Sequence, residues 1–260
     1  MNSMNTRRKE SVKKKKIIVF DIDGTITKSK MPIDKEMATL LSTLLLKKTV
    51  VLVSGEKFLL FKKLIVSKLQ NTPSVLKNLV LLPTNAAMCY VYKRGKWVRL
   101  YNLKISKKEE KEILKQFHGA LKRAGFIPPA HIYGKTIEYR GTEVVFSALG
   151  QNAPLSKKTK WNKTRDTRKR IKNILKKNLS GFDAKIAGLT SIDVIREGID
   201  KAYGVRRVKK YFHARTKDML FVGDMIIPGG NDYPVVKTGV EWIRVGSPKE
   251  TKKLIKSLIS

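Results

Sequence analysis

Cysteine is nearly missing from this chain: Cys89 is the only one in 260 residues. A disulfide framework is therefore excluded, and a reducing cytoplasm is the expected compartment. Histidine is almost as scarce. His118, His131 and His213 stand apart, and no set of His, Cys and carboxylates has the spacing of a zinc site. No run approaches the roughly eighteen uninterrupted apolar residues of a membrane helix, and the basic N-terminus lacks the apolar core of a secretory signal. Acidic residues are few, 21 against 56 Lys and Arg, leaving a formal charge of +35. Such a field favours anions: phosphorylated metabolites, nucleic acid or an anionic surface. Residues 1–16 hold seven of the basic residues against Glu10, and the remainder are spread along the chain. A dispersed surplus, mostly lysine, fits a compositional bias better than a dedicated nucleic-acid footprint, which stays as the remote alternative.

What is present is a globular pattern, 42% apolar. Residues 1–13 are polar, basic and aperiodic, and are expected to form a disordered arm. Ile17–Phe20 then reads as a strand buried on both faces. Asp34 is placed to cap a helix whose apolar face holds Met37, Leu40, Leu41, Leu44 and Leu45. Strands over Thr49–Val53 and Leu79–Leu82 flank a helix through Phe58–Leu69. Strands alternating with helices predict a mostly parallel sheet. From Met88 the rhythm changes to a hairpin turning at Arg94-Gly95, followed by a helix opened by a Ser106/Glu109 capping box and stopped at Gly125. Two strands, a second helix near 166–179 and two more strands bring the chain to Arg196. This stretch, 88–196, reads as an inserted α+β domain between the halves, 14–87 and 197–260, of an α/β core. The βαβ rhythm then resumes: a helix from Lys201, a strand over Met219–Val222, a last strand near Trp242–Val245, and a helix capped by Ser247-Pro248-Lys249-Glu250.

Four signals fall in order at the carboxyl ends of core strands or beside them: Asp21-x-Asp23-Gly24-Thr25, Ser54-Gly55, Lys201, and Gly223-Asp224 with Gly229-Gly230-Asn231-Asp232. That edge of a parallel sheet is where ligands bind. Taken singly, Ser54 is a turn residue, Lys201 one lysine among many, and Asp224 and Asp232 are Asx-turn material. Their joint occurrence carries the weight. Two carboxylates delivered to a sheet edge by an apolar strand require a cation, and a carboxylate facing a phosphate ester requires a hard one, so Mg²⁺ is expected. Asp21 then serves as nucleophile, forming an aspartyl-phosphate, and Asp23 as general acid and base. Asp21, Asp23, Asp224 and Asp232 are the metal candidates. Ser54, Gly55, Lys201 and Asn231 are the candidates for holding phosphoryl oxygens.

This ordered set resembles the motifs of the haloacid dehalogenase (HAD) superfamily, and the α+β insertion is similar to its type IIB cap. Asp21–Thr27, Pro228–Asp232 and Ser191–Val194 ahead of Asp200-Lys201 resemble most closely the phosphomannomutases of eukaryotic type, from about residue 16 to the end. The resemblance implies a Rossmann-like HAD core with a type IIB cap, a phosphorylated sugar as substrate, and a homodimer formed through the cap. It also implies cap arginines that grip a second phosphate, with Ser191 and Asp193 on sugar hydroxyls. Arg140 keeps one such arginine. Lys30 and Lys158 stand where the family has arginine, and Gln151 replaces another. Lysine lacks the bidentate fork and glutamine the charge. A mutase must retain a bisphosphate intermediate, whereas a phosphatase need only admit water. The thinned clamp therefore points to a sugar-phosphate phosphatase, with a hexose-phosphate mutase as the alternative.

Overall fold

A computed structural model describes residues 6–28, 31–161 and 165–260. They form two compact units, Met1–Asn102 with Ile199–Ser260, and Leu103–Gly198.

The first unit contains α1 (Thr6–Lys13), β1 (Ile17–Asp21), α2 (Lys35–Lys47), β2 (Thr49–Val53) and α3 (Phe58–Leu64). After these come the single turn α4 (Pro73–Leu76), β3 (Leu79–Leu82), a second single turn α5 (Pro83–Ala86), and the hairpin β4 (Met88–Lys93) and β5 (Lys96–Asn102). Its seven-stranded sheet has the order β11-β10-β1-β2-β3-β4-β5, where β10 is Met219–Gly223 and β11 is Glu241–Arg244. The first four ladders from β11 to β3 are parallel, and β4 and β5 are antiparallel. Along β1, Ile18 and Phe20 join one hydrophobic cluster while Ile17 and Val19 join the other. Burial on both faces is why the strand reads as an unbroken apolar run rather than an alternating one. Asp34 does cap α2, its Oδ1 accepting from the Met37 N–H at 2.9 Å.

The second unit contains α6 (Lys107–Arg123), β6 (Ile137–Tyr139), β7 (Glu143–Ser147), α7 (Leu155–Trp161), α8 (Arg165–Asn178), β8 (Phe182–Ala187) and β9 (Ser191–Arg196). Its antiparallel sheet runs β6-β7-β9-β8. Ile113 and Phe117 of α6 and Ile171 and Leu175 of α8 share a cluster with Val144, Phe146, Ile192 and Val194 of that sheet. The Ser106/Glu109 capping box is formed in full. The chain returns to the first unit through α9 (Lys201–Tyr211), β10, β11 and α10 (Pro248–Ile259).

Two expectations are corrected. Residues 6–13 of the supposed disordered arm are helical as α1, because Val12 is buried and the Lys48 ammonium donates to the carbonyls of Lys13 and Lys15 at 2.6 and 2.7 Å. Residues 1–5 lie outside the described set. The hairpin from 88 belongs to the first unit, which moves the boundary from 87/88 to 102/103. The reason is edge satisfaction: β3 needs a partner, and β4 supplies one in the register Val80↔Val91 while burying Cys89 and Val91. The helix α7 was not anticipated, since none of its residues is fully buried and no apolar period marks it. Among the described residues no helix is long and apolar enough to cross a membrane.

Candidate active site

β1 ends at Asp21, which is buried at the carboxyl edge of the sheet. From 180 residues downstream, the first residue of α9 sends its ammonium to the same point: Lys201 Nζ lies 2.6 Å from Asp21 Oδ1 and 2.6 Å from Asp232 Oδ1. All three side chains are at most 5% exposed. Asp200 fixes the start of α9 by accepting from the Tyr203 N–H at 2.8 Å, so the lysine leaves the helix at a defined position. The other oxygen of Asp232 accepts from the Met225 N–H at 3.0 Å, tying the glycine-rich loop back toward β10.

Asp224 completes the group. Carboxylate oxygens of Asp21, Asp224 and Asp232 lie within 4.8 Å of one another. Two glycines make this approach feasible. A Cβ on Gly24, whose φ is +78°, would sit 2.5 Å from Asp224 Oδ2, and one on Gly223 would sit 2.4 Å from Asp232 Oδ2. Both reflect close approach of side chain to backbone.

The electrostatics are those of an anionic cluster with too little positive charge. Burial pushes the Asp21 carboxyl up to about 7, opposed by Lys201 and reinforced by Asp232. Asp224 is also raised, by burial and then by Asp232. Burial works against the Lys201 charge, but Asp21 and Asp232 hold it above the ordinary lysine value. Asp224 Oδ1 is buried without a hydrogen-bond partner among the described residues. An orphaned oxygen among three converging carboxylates is what a hard, oxygen-preferring divalent cation satisfies, so the residues fit such an ion. Asp23, the fourth metal candidate, is not among these three. It lies just beyond the strand, where Asp23 bridges to Thr27.

Ser54 is buried at the end of β2, its Oγ accepting from the Glu56 N–H at 3.2 Å. Beside it, α5 is wound left-handed at Thr84 (φ 51°) and Asn85 (φ 52°), conformations that β-carbon-bearing residues adopt only under constraint. The constraint is the phosphate-candidate loop: Asn85 N–H donates to the Ser54 carbonyl at 2.8 Å and Thr84 N–H to that of Glu56 at 3.0 Å. The Asn85 amide also packs against Gly55. Asn231 is exposed on its loop. Sequence reasoning missed Gly223 as a spacing residue and missed the left-handed turn altogether, because in Thr-Asn-Ala only Asn85 is of a type that favours positive φ.

In the second unit, Arg140 is heavily engaged. Its guanidinium lies 2.7 Å from Glu138, 3.4 Å from Glu143 and 2.9 Å from Gln151 Oε1. Burial pushes the Asp193 carboxyl up to about 7, reinforced by the buried Glu143 and opposed by Arg140 and Lys185. Asp193 pairs across the sheet with Val145 on one side and Lys185 on the other, and Ser191 with Ser147. Lys158 donates to the Gln151 carbonyl at 3.3 Å. Lys30 lies outside the described residues. Glu138 and Glu143 were also overlooked. Two acids flanking one arginine, in a chain with so few, were the available signal.

The sequence model of the eukaryotic phosphomannomutase family matches residues 37–260. The chain belongs to that family. Its match to the phosphomannomutase of Encephalitozoon cuniculi is 28% identical over 249 residues, covering 93% of this chain and 92% of the relative. The phosphomannomutase of Saccharomyces cerevisiae is 27% identical over 250 residues, 94% of each chain. Among solved structures, Plasmodium falciparum IMP-nucleotidase superposes with a TM-score of 0.69 at 19% identity, over 98% of this chain and 73% of that one. Aspergillus fumigatus trehalose-6-phosphate phosphatase does so with 0.60 at 15%, over 98% and 97%. At those identities the superpositions establish the fold. Membership of the phosphomannomutase family makes the chain a phosphoryl-transfer enzyme of the HAD class, and it favours isomerisation over the hydrolysis expected from the cap residues.

Proposed function

We propose that this phosphomannomutase-family protein exchanges a phosphoryl group between the 1- and 6-positions of a hexose phosphate, with Asp21 as nucleophile and Mg²⁺ as cofactor. The Lys201 bridge between Asp21 and Asp232, beside the unpartnered Oδ1 of Asp224, is the observation that carries the reading. Asp21, Asp224 and Asp232 are the residues that would hold the ion. When bound, it offsets the negative charge on carboxylate and phosphate so that they can approach.

The remaining steps belong to the chain. An Asp21 carboxylate oxygen attacks phosphorus, and the ester P–O bond breaks as Asp23 protonates the departing sugar oxygen. Starting from a hexose bisphosphate this leaves an aspartyl-phosphate and a hexose monophosphate. The free hydroxyl of a monophosphate held by its remaining phosphate then attacks the aspartyl-phosphate, its proton passes to Asp23, and a bisphosphate is formed again. Lys201 draws Asp21 toward its ionised form, orients it and offsets charge on the transferring group. Ser54 and the Gly55 backbone, braced by the left-handed turn, receive phosphoryl oxygens, and Asn231 is the further candidate. In the cap, Ser191 and Asp193 are read as contacts to sugar hydroxyls, and Arg140, Lys158 and Lys30 as the second-phosphate clamp.

One observation favours a second reading. Arg140 is shared among Glu138, Glu143 and Gln151, so its charge is largely spent within the protein. A clamp neutralised in this way holds a bisphosphate weakly, which favours transfer to water. Supplying mannose 1-phosphate and a hexose bisphosphate activator with Mg²⁺, and scoring both mannose 6-phosphate and inorganic phosphate, tests the two together. Isomer formation exceeding phosphate release supports the mutase. Phosphate release without isomer overturns it in favour of the phosphatase.

A further inference from the structure

The acids of this protein gather at the carboxyl edge of the seven-stranded sheet. The opposite edge is rich in cations along β1–β3, while at β10 and β11 it carries Asp218, paired with Arg215, and Glu241, paired with Lys15. Lys16, Lys48 and Asn78 immediately precede β1, β2 and β3. They therefore lie one strand length, about 15 Å, from Asp21 and Ser54. A concavity of about 330 Å³ there is lined by Lys14, Lys15, Lys16, Lys47 and Lys48, with Thr49 and Asn78, and among the described residues no carboxylate lines it. Three of these ammoniums are committed, Lys47 among them, which donates to the Ile259 carbonyl. Lys15 is buried on Glu241 at 2.7 Å and the Lys217 carbonyl at 3.0 Å, and Lys48 caps the end of the α1 segment. Burial and the neighbouring Lys47 hold Lys48 below the usual lysine range. Lys14 and Lys16 are exposed, with ammoniums that make no hydrogen bond among the described residues.

Lys77, next to Asn78, lines a second concavity of about 650 Å³ whose walls include Tyr92, Lys93, Arg94, Tyr211 and Phe212, again without a carboxylate. Two elements bring these residues to the same edge. β4 runs antiparallel to β3, so its end at Lys93 returns there. α9 opens at Lys201 and ends at Tyr211, a helix of 11 residues spanning about 16 Å. Tyr211 and Phe212 are each 37% exposed, set edge to face at 4.9 Å, with the Lys93 ammonium 5.4 Å from the Tyr211 ring.

We infer that this edge of the core sheet binds single-stranded nucleic acid, the lysines along β1–β3 following phosphates and the Tyr211–Phe212 pair offering a stacking platform for bases. Cations alone would suit any polyanion. Aromatic faces beside them select a strand whose bases are unstacked, because duplex bases cannot reach a ring. A compact polyphosphate would fill the first concavity and leave the aromatic one unused. The folded α1 segment contributes directly, since it carries Lys14 and Lys16 to a fixed place instead of leaving them on a loose tail. The inference is independent of the chemistry at Asp21.

Fluorescence anisotropy of a labelled single strand of about fifteen nucleotides, titrated with the full-length protein, tests it. Binding at physiological salt is expected, weakening linearly in log salt. The Lys14→Ala/Lys16→Ala variant should lower the slope by about 1.4, near 0.7 for each lost phosphate contact. Phe212→Ala should weaken binding about five- to a hundredfold with the slope unchanged, as loss of one stacked base requires. Turnover of an aryl phosphate should be unaltered in both variants, which separates loss of binding from loss of fold. Absence of binding at physiological salt overturns the proposal. So does equal affinity for a duplex, or full competition by equimolar inorganic tripolyphosphate. A Lys93→Ala/Arg94→Ala variant that binds like the parent while Lys172→Ala/Lys176→Ala on α8 does not would also overturn it, by moving the site to the other unit.

Discussion

Replacing Lys201 with methionine isolates what the buried ammonium does. Methionine keeps most of the volume, so the change removes charge rather than packing. Two contacts of 2.6 Å, to Asp21 and Asp232, disappear, and three carboxylates within 4.8 Å are left without a cation. Removing one partner of a buried ion pair costs about 3–5 kcal/mol. A second route gives a similar figure. An uncompensated carboxylate neutralises itself by taking a proton, and at pH 7 that costs about 4 kcal/mol for a group whose unfolded value is near 4. The sign of the pH dependence follows. Burial already favours a proton on Asp21 in the parent. The variant's native state binds a further proton that the unfolded chain does not, so its stability falls relative to the parent as pH rises, by about 1.4 kcal/mol per unit between roughly pH 4 and 7. Urea denaturation in metal-free buffer at pH 5, 6 and 7 measures this, and millimolar Mg²⁺ at pH 7 should recover part of the loss by binding the native state. A deficit below about 1 kcal/mol, or one that does not change with pH, would refute the reasoning, because the loss would then be packing alone.

Gly24→Ala should cost about 1–3 kcal/mol, since its φ of +78° strains any L side chain and the new Cβ would meet Asp224. It should also weaken Mg²⁺ binding measured by calorimetry in the absence of substrate. Asp193→Asn removes a carboxyl pushed up to about 7 by burial and by Glu143. A raised acid destabilises the native state as pH climbs from about 4 through 7, so the variant should gain stability over the parent by up to about 4 kcal/mol at pH 8 and little at pH 4, read from paired melting curves. Glu143→Gln should release part of Arg140 and tighten binding of a hexose bisphosphate about tenfold, raising the ratio of isomer to free phosphate in the turnover assay.

The core was legible because its signals are local. The unbroken apolar run of β1, the Asp34 cap and the Ser106/Glu109 box each specify an element within a few residues. The four motifs were legible because each follows a strand whose end could be located. Membership of the hairpin at 88–102 was not, since which sheet a hairpin completes is decided by an unpaired edge distant in the chain. The helical arm was missed for the same reason: Val12 has no partner in its own segment and is buried only by elements that fold around it. The state of Arg140 was invisible for another reason. A resemblance assigns the arginine a ligand, but only coordinates reveal that two glutamates and Gln151 already occupy its donors.

Trapping the covalent intermediate addresses the central claim most directly. Quenching a single turnover of Mg²⁺-loaded protein with a hexose bisphosphate, followed by peptide mass analysis, should find one phosphoryl group on the peptide that carries Asp21 and none in Asp21→Asn. A protein that turns over while that peptide stays unmodified would contradict the account.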